Sequence, residues 1–415
     1  MSCLHYNNNE LHIENISLKQ IANELGTPCY IYSRQQIEKN WQTLNNAFAK
    51  IPHRICYAVK ANPNIAILNL LARLGSGFDI VSGGELERVL IAKGDASNIV
   101  FSGVGKTTTE ISNAIQKNIF CIDIESTDEL IRVGNIAEKL NKKVNIALRI
   151  NPNINPNTHA HISTGLKENK FGIELEETIS TCQQVSHHPA LNLIGVACHI
   201  GSQITSLEPY HLMLDQLTKI YHELQSHHIP IKYINIGGGL GISYQQEKTP
   251  TIDEYAALII EKLSPLPIEL IIEPGRTIIG NAGVLLTKID YLKHNRYHNF
   301  AIVDAGMNDL MRPALYDAYH PILPVVQRQT EKMKYDIAGP VCESADILAK
   351  QRELALESGD LLVVDLAGAY GTSMSSNYNS RCLPAEVLVD NNKIHIIRKR
   401  QTFQQMISNE HIMPD

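Results

Sequence analysis

Lys60 stands at the end of a short apolar run, in Tyr57-Ala-Val-Lys-Ala-Asn-Pro63, with no carboxylate beside it in sequence. An amine at the rim of an apolar strand is partly desolvated, which lowers its pKa and favours condensation with an aldehyde. Taken singly, a lysine of this kind is more often one that lays its stem on apolar surface and keeps its head in water. Two glycine-rich motifs change that balance. Asn235-Ile-Gly-Gly-Gly-Leu-Gly241 and Glu273-Pro-Gly-Arg-Thr277 close the seventh and eighth of eight apolar runs in the chain. Each alone reads as a tight turn. Together, at the two strand ends where barrel enzymes bind phosphate, Gly237, Gly238 and Gly239 with Gly275 predict a cradle of backbone amides for a phosphorylated ligand. A phosphate cradle opposite an aldehyde-binding lysine points to pyridoxal phosphate, and Glu273 then has a role: a carboxylate against the pyridine nitrogen keeps it protonated. His199, in Cys198-His-Ile-Gly-Ser-Gln203, is placed to stack on such a ring. One histidine among seventeen is otherwise more often a satisfied core residue. Ser102-Gly-Val-Gly-Lys-Thr107 imitates the end of a nucleotide-binding loop, but the first glycine of that motif would fall at Val100. Lys106 is therefore expected to be a loop residue that caps a helix.

The elements that must carry these residues form one repeating unit between about residue 55 and residue 276. Eight β-branched, apolar runs occur: Ile55–Val59, Phe78–Val81, Ile99–Phe101, Phe120–Ile124, Val144–Ile150, Leu193–Ala197, Tyr233–Ile236 and Ile268–Ile272. Helical periodicity fills the intervals at Asn64–Leu74, Gly84–Lys93, Thr108–Lys117, Thr127–Leu140, Glu176–Val185, Pro209–Leu224 and Ile252–Leu263, with Ser126 and Thr127 ahead of Asp128 and Glu129 as a start signal. Eight nearly continuous apolar strands alternating with helices predict an α/β fold, a parallel (β/α)8 barrel of the TIM type, with a doubly wound open sheet as the structural alternative. The runs end in polar or glycine residues, as the reactive rim of a barrel would. After about residue 282 strand-like segments dominate, at 284–292, 300–304, 334–337, 361–365, 385–389 and 393–398. These predict a mainly β, sandwich- or barrel-like C-terminal domain, to which Pro28-Cys-Tyr-Ile-Tyr32 adds a strand. The expected division is a cofactor-binding barrel over 36–282 and a β domain over 1–35 plus 283–415.

Composition narrows the class. The 415 residues are 44% hydrophobic, and 37 Lys+Arg against 43 Asp+Glu give a net charge of −6. That supports a large core and gives no basic face for nucleic acid. No run of about 18 apolar residues and no export signal is visible, so no membrane partner and a cytoplasmic location are expected. The eight cysteines are scattered without a CxxC pair, which fits reduced thiols and no metal site.

These residues resemble a known family. Tyr57-Ala-Val-Lys-Ala-Asn, Gly77-Phe-Asp-Ile-Val-Ser-Gly-Gly-Glu-Leu86, His199-Ile-Gly-Ser-Gln203, Gly237-Gly-Gly239 and Glu273-Pro-Gly-Arg276 are similar to motifs of the basic amino-acid decarboxylases of the alanine-racemase-like barrel class. Ile162-Ser-Thr-Gly-Leu-Lys-Glu-Asn-Lys-Phe-Gly172, Met307-Asn-Asp-Leu-Met-Arg-Pro-Ala-Leu-Tyr316 and Gly339-Pro-Val-Cys-Glu-Ser344 resemble the diaminopimelate decarboxylase branch, over essentially the whole chain. The resemblance implies that Lys60 carries pyridoxal 5'-phosphate, that His199 packs on the ring, and that Ser202, Gly239, Gly275, Arg276 and Tyr370 surround the phosphate. It further implies that Arg276, Arg312, Tyr316, Glu343 and Tyr370 hold the substrate, that Asp79 and Arg149 contact the lysine or the ring, and that Cys342 returns a proton to the α-carbon. An arginine fork for a second carboxylate and a carboxylate for a second ammonium would suit diaminopimelate. The implied catalyst is a homodimer whose active sites are shared across the interface, converting meso-2,6-diaminopimelate to L-lysine at the end of lysine synthesis. The alternatives are a decarboxylase of the same class acting on ornithine, arginine or a carboxylated polyamine, an alanine racemase, and a non-catalytic relative.

Overall fold

A computed structural model describes residues 3–155, 169–186 and 188–414. The chain divides into two compact units, one of Met1–Lys39, Tyr244–Gln246 and Ile279–Asp415, the other of Asn40–Ser243 and Glu247–Ile278. The first unit opens with a small antiparallel sheet of β1 (Leu4–Asn7), β2 (Glu10–Ile13) and β3 (Ile16–Ser17), followed by a helix over Leu18–Leu25 and by β4 (Cys29–Ser33).

The second unit holds β5 (His53–Ala58), β6 (Gly77–Ile80), β7 (Ile99–Phe101), β8 (Cys121–Ile124), β9 (Val144–Asn151), β10 (Ile173–Glu174), β11 (Leu191–Ala197), β12 (Tyr233–Asn235) and β13 (Glu269–Ile272). Pairing runs β5-β6-β7-β8-β9-β11-β12-β13 and returns to β5, every contact parallel, so eight strands close into a barrel and β10 attaches outside β9. All eight expected runs are strands of this barrel. Their unbroken apolar character follows from having both faces covered, by the helices outside and by one another inside. A layer of the interior is filled by Cys56, Val100, Cys121, Ala147, Ile194, Tyr233 and Ile271, one residue from each of seven strands.

The helices form where the periodicity placed them, and their starts are capped by side chains. Ser126 accepts from the Glu129 backbone N–H ahead of Thr127–Lys139, and Thr107 and Glu110 form a reciprocal capping box ahead of Thr108–Gln116. Lys106 is the βα-loop residue expected, but Thr107 and not Lys106 caps the helix. Its side chain is buried, with Nζ donating to the carbonyls of Gly103 and Asp123 and to Glu129. A lysine can be buried there because every donor meets an oxygen and Glu129 balances the charge.

From residue 283 the chain returns to the first unit with β14 (Gly283–His294), β15 (Asn299–Val303), β16 (Ile322–Pro324), β17 (Met333–Ala338), β18 (Ile347–Leu354), β19 (Leu361–Val364), β20 (Ala385–Asp390) and β21 (Lys393–Arg398). Their sheet runs β18-β17-β15-β14-β4-β20-β21, with β19 joined to β14 and β16. The expected N-terminal strand is β4, antiparallel to β14 and parallel to β20. Ile31, Val284, Leu286, Val363, Val387 and Val389 share one core with Leu11, Ile13, Leu18 and Ile21 from the opening segment. The sequence reading missed β1–β3, β10, β16 and β18. They are short or polar, and pairing partners rather than their own periodicity make them strands.

Candidate functional site

In the second unit the polar side chains gather where the barrel strands end. Strand β5 runs into a single 3-10 turn, Val59–Ala61, which places Lys60 just past the strand. Its Nζ donates to Asp79 Oδ2 at 2.7 Å, and Asp79, from β6, is fully buried. Motif spacing alone did not reveal this carboxylate, nineteen residues away, but the family resemblance had set Asp79 against the lysine or the ring. The amine thus sits in an ion pair, not in the purely apolar setting expected for it. Asp79 Oδ1 and Asp123 Oδ1 are buried without a hydrogen-bond partner among the described residues.

Glu273 follows β13 and is buried. Desolvation, reinforced by the Asp79 and Asp123 charges and opposed by Lys60, pushes its pKa up to about 8. Asn235 Nδ2 donates to Glu273 Oε1 at 2.5 Å, so a proton carried by this carboxyl sits on Oε2. Asn235 was not singled out from the sequence. Its carbonyl oxygen accepts from the Gly237 N–H at 2.9 Å, an Asx turn that leaves the amide facing Glu273 and, at 3.5 Å, Asp123. One side chain therefore ties the glycine turn to the buried acid, and the Asn-x-Gly spacing is the signal that could have revealed it.

Gly237 (φ 65°) and Gly239 (φ 100°) occupy the left-handed region, where side chains are strained. Gly238 lies so close to the Glu273 carbonyl that a Cβ would collide with it. His199, just past β11, is half-buried, and its Nδ1 accepts from the Gly238 N–H at 3.2 Å. Burial, with the Arg149 and Lys60 charges, drives its pKa well down, so the ring is neutral with its proton on Nε2. Arg149 is held by Glu125 at 2.6 Å and lies over the Phe171 ring. Arg276, buried at the start of a short helix over Arg276–Ile279, donates to Ser202 Oγ at 3.2 Å. Lys60, Asp79, Arg149, His199, Ser202, the three glycines, Glu273, Gly275 and Arg276 are thus all in one unit.

The other expected residues belong to the first unit. Arg312 and Tyr316 bound one short helix, Arg312–Tyr316, with Arg312 buried and Tyr316 half-buried. Arg312 Nη1 lies 2.8 Å from His320 Nε2. Cys342 is the exposed cysteine among the described residues, and its N–H donates to Asn379 Oδ1 at 2.8 Å. Glu343 accepts from the Tyr378 hydroxyl. Asp346 fastens this loop by accepting from the N–H groups of Val341 and Met307 at 2.6 Å each. Tyr370 has φ 58°, a costly conformation for a bulky residue. In the branch motif Ile162–Gly172, residues 162–168 lie outside the described residues.

A half-exposed amine paired with a buried carboxylate, a buried acid whose pKa is raised, an imidazole whose pKa is lowered and a glycine turn, all on one barrel, fit a pyridoxal-phosphate-type site. The model of the pyridoxal binding domain of pyridoxal-dependent decarboxylases matches residues 34–280. A diaminopimelate decarboxylase of Pseudomonas fluorescens is 49% identical over all of both chains. The crystal structure of diaminopimelate decarboxylase from Helicobacter pylori complexed with L-lysine superposes with a TM-score of 0.92 at 41% identity, covering 94% of this chain and 98% of that one. That of M. jannaschii diaminopimelate decarboxylase in co-complex with L-lysine gives 0.95 at 38% identity, covering 99% and 98%. The chain belongs to the diaminopimelate decarboxylase family of pyridoxal-dependent decarboxylases. No described helix is long and apolar enough to cross a membrane.

Proposed function

We propose that this chain decarboxylates meso-2,6-diaminopimelate to L-lysine and carbon dioxide with pyridoxal 5'-phosphate, the last step of lysine biosynthesis. The observation that carries the reading is the pairing of Lys60 with buried Asp79 in the same barrel as buried Glu273, whose pKa desolvation raises. These residues fit the cofactor: Lys60 would bond its aldehyde, Glu273 would face its ring nitrogen, His199 would pack on the ring, and the turn at Gly237–Gly239 with Ser202, Gly275, Arg276 and Tyr370 would take its phosphate. When bound, the ring supplies a sink for the electron pair left on the α-carbon as carbon dioxide departs.

The protein's own groups do the remaining work. Asp79 keeps the Lys60 amine in place. Glu273 holds a proton at Oε2, where the ring nitrogen can share it. His199 adds packing without adding charge, which would oppose a positive ring. Arg312 takes the carboxylate of the unreacting end, Glu343 its ammonium, and Tyr316, Tyr370 and Arg276 complete the substrate contacts. Cys342 gives the proton that replaces the lost carboxylate. In this reading the catalyst is a cytoplasmic homodimer in which the Cys342 loop serves the partner's active site, and nucleic acid has no part. The test is carbon dioxide release from purified enzyme: evolution from meso-diaminopimelate but not from ornithine or arginine supports the assignment, and evolution from ornithine or arginine alone refutes it.

A further inference from the structure

Two neighbouring residues of one turn grip two neighbouring residues of the Cys342 loop. The turn is a short 3-10 segment, Tyr378–Ser380. Asn379 Oδ1 accepts from the Cys342 N–H at 2.8 Å, and the Tyr378 hydroxyl donates to Glu343 Oε1. The turn is itself anchored on both sides. Asn377 Nδ2 donates to the Arg381 carbonyl at 2.8 Å and to Gln401 Oε1 at 2.6 Å, and the Ser376 N–H donates to the Asn308 carbonyl at 2.9 Å. Asn379 sits at φ 53° and ψ 29°, a left-handed conformation that asparagine adopts more readily than most residues with a side chain. The loop backbone is thus held without Tyr378: Asp346 accepts from the Val341 N–H and Asn379 from the Cys342 N–H. The Tyr378 hydroxyl acts instead on the side chain of Glu343. That side chain is long and exposed, and a hydrogen bond at its carboxylate narrows the directions the carboxylate can face. The same bond raises the Tyr378 phenol above its ordinary pKa, so the hydroxyl keeps its proton and stays a donor.

We propose that Tyr378 is a positioning residue for substrate recognition: its hydroxyl aims the Glu343 carboxylate at the ammonium of the substrate's unreacting end, on a loop whose backbone Asn379 fixes. This rests on the roles of Glu343 and Cys342 given under the proposed function. Those roles are different but fall on adjacent residues, and both must be placed against the same molecule. A shift of the loop would displace the two together, whereas a rotation of Glu343 alone would lose the ammonium and spare the proton transfer. One turn that bonds the backbone at 342 and the side chain at 343 controls these two freedoms separately. A carboxylate accepts at both oxygens, so Oε2 can take the ammonium while Oε1 accepts from Tyr378. The hydroxyl brings no charge of its own, and so orients the carboxylate without setting a second cation against the ammonium it is to bind.

Tyr378→Phe keeps the ring and removes only the hydroxyl. The readout is the ratio of dissociation constants, by calorimetry on holoenzyme, for 6-aminohexanoate and L-lysine, which share the terminal amine and the carboxylate and differ by the α-ammonium. Wild type is expected to prefer lysine by about tenfold or more, the worth of a hydrogen-bonded charge pair. Tyr378→Phe should reduce that preference by about threefold or more, with 6-aminohexanoate bound as before. Glu343→Ala should abolish the preference, and in that background Tyr378→Phe should change nothing further, because residues that act through one contact are not additive. If Glu343→Ala loses the preference but Tyr378→Phe keeps it, the proposal is overturned and the reading of Glu343 stands. Equal weakening of both ligands by Tyr378→Phe, or the same effect with and without Glu343, would reduce Tyr378 to a structural part and overturn it too. A wild type without preference, or a Glu343→Ala protein that retains it, would refute the reading of Glu343 and this role of Tyr378 with it. Carbon dioxide release from meso-diaminopimelate, followed in parallel, reports on the substrate assignment separately.

Discussion

At the scale of single residues, function depends on groups whose ionisation the barrel interior has altered. Glu273 shows the direction. Its folded-state pKa near 8 lies above the ordinary glutamate value because burial and the Asp79 and Asp123 charges disfavour the anion. The folded, cofactor-free protein therefore binds this proton more tightly than the unfolded chain does. The stabilisation is complete below about pH 4.3, the ordinary glutamate pKa, and disappears as pH rises through about 8. Thermal melts of cofactor-free protein should fall between pH 5 and pH 8, and Glu273→Gln, which cannot ionise, should flatten that fall. An unchanged pH profile in the variant would contradict this account of Glu273. Lys60→Ala should abolish both turnover and the visible absorbance of bound cofactor. Cys342→Ala should slow turnover by about 10²- to 10⁴-fold, the worth of a positioned general acid, while leaving cofactor absorbance intact.

At the scale of elements, the barrel positions these groups by packing its strands without slack. Gly195 of β11 lies beside Tyr233 of β12, and a Cβ at 195 would come within 2.5 Å of the Tyr233 ring. That ring is fully buried, with its hydroxyl donating to Cys121 Sγ at 2.9 Å. Gly195→Ala should cost about 1–3 kcal/mol in urea unfolding, as overpacking does, and a cost near zero would show that the ring moves freely. The capping serine before Thr127–Lys139 is worth less: Ser126→Ala should cost about 1 kcal/mol. Element types were legible because alternation of apolar strands with capped helices is a property of the local sequence. The short strands β1–β3 and β16 carry too few residues for a period to register, so only their pairing defines them.

At the scale of the whole molecule, the proposed dimer makes a prediction no single-chain variant can test. Lys60→Ala and Cys342→Ala, each inactive or slow alone, should recover about a quarter of wild-type activity when dissociated, mixed in equal amounts and reassociated. Half of the dimers are then mixed, and each has one complete site of two. No recovery, with mixed dimers demonstrated, would place Lys60 and Cys342 of one active site in the same chain. The sequence by itself determined the barrel, through eight apolar runs with polar ends, and it carried the chemistry proposed for Lys60, the glycine turn and Glu273, because each belongs to a contiguous motif. Only tertiary structure decided that Asp79 is buried and ion-paired to the Lys60 amine, that Lys106 is buried against Glu129, that Asn235 joins the Gly237 turn to Glu273, and that His320 meets Arg312. Most of those partners lie on different strands or loops, and pairing across a closed sheet or a packed core is set by burial and charge, for which distance along the chain is no guide.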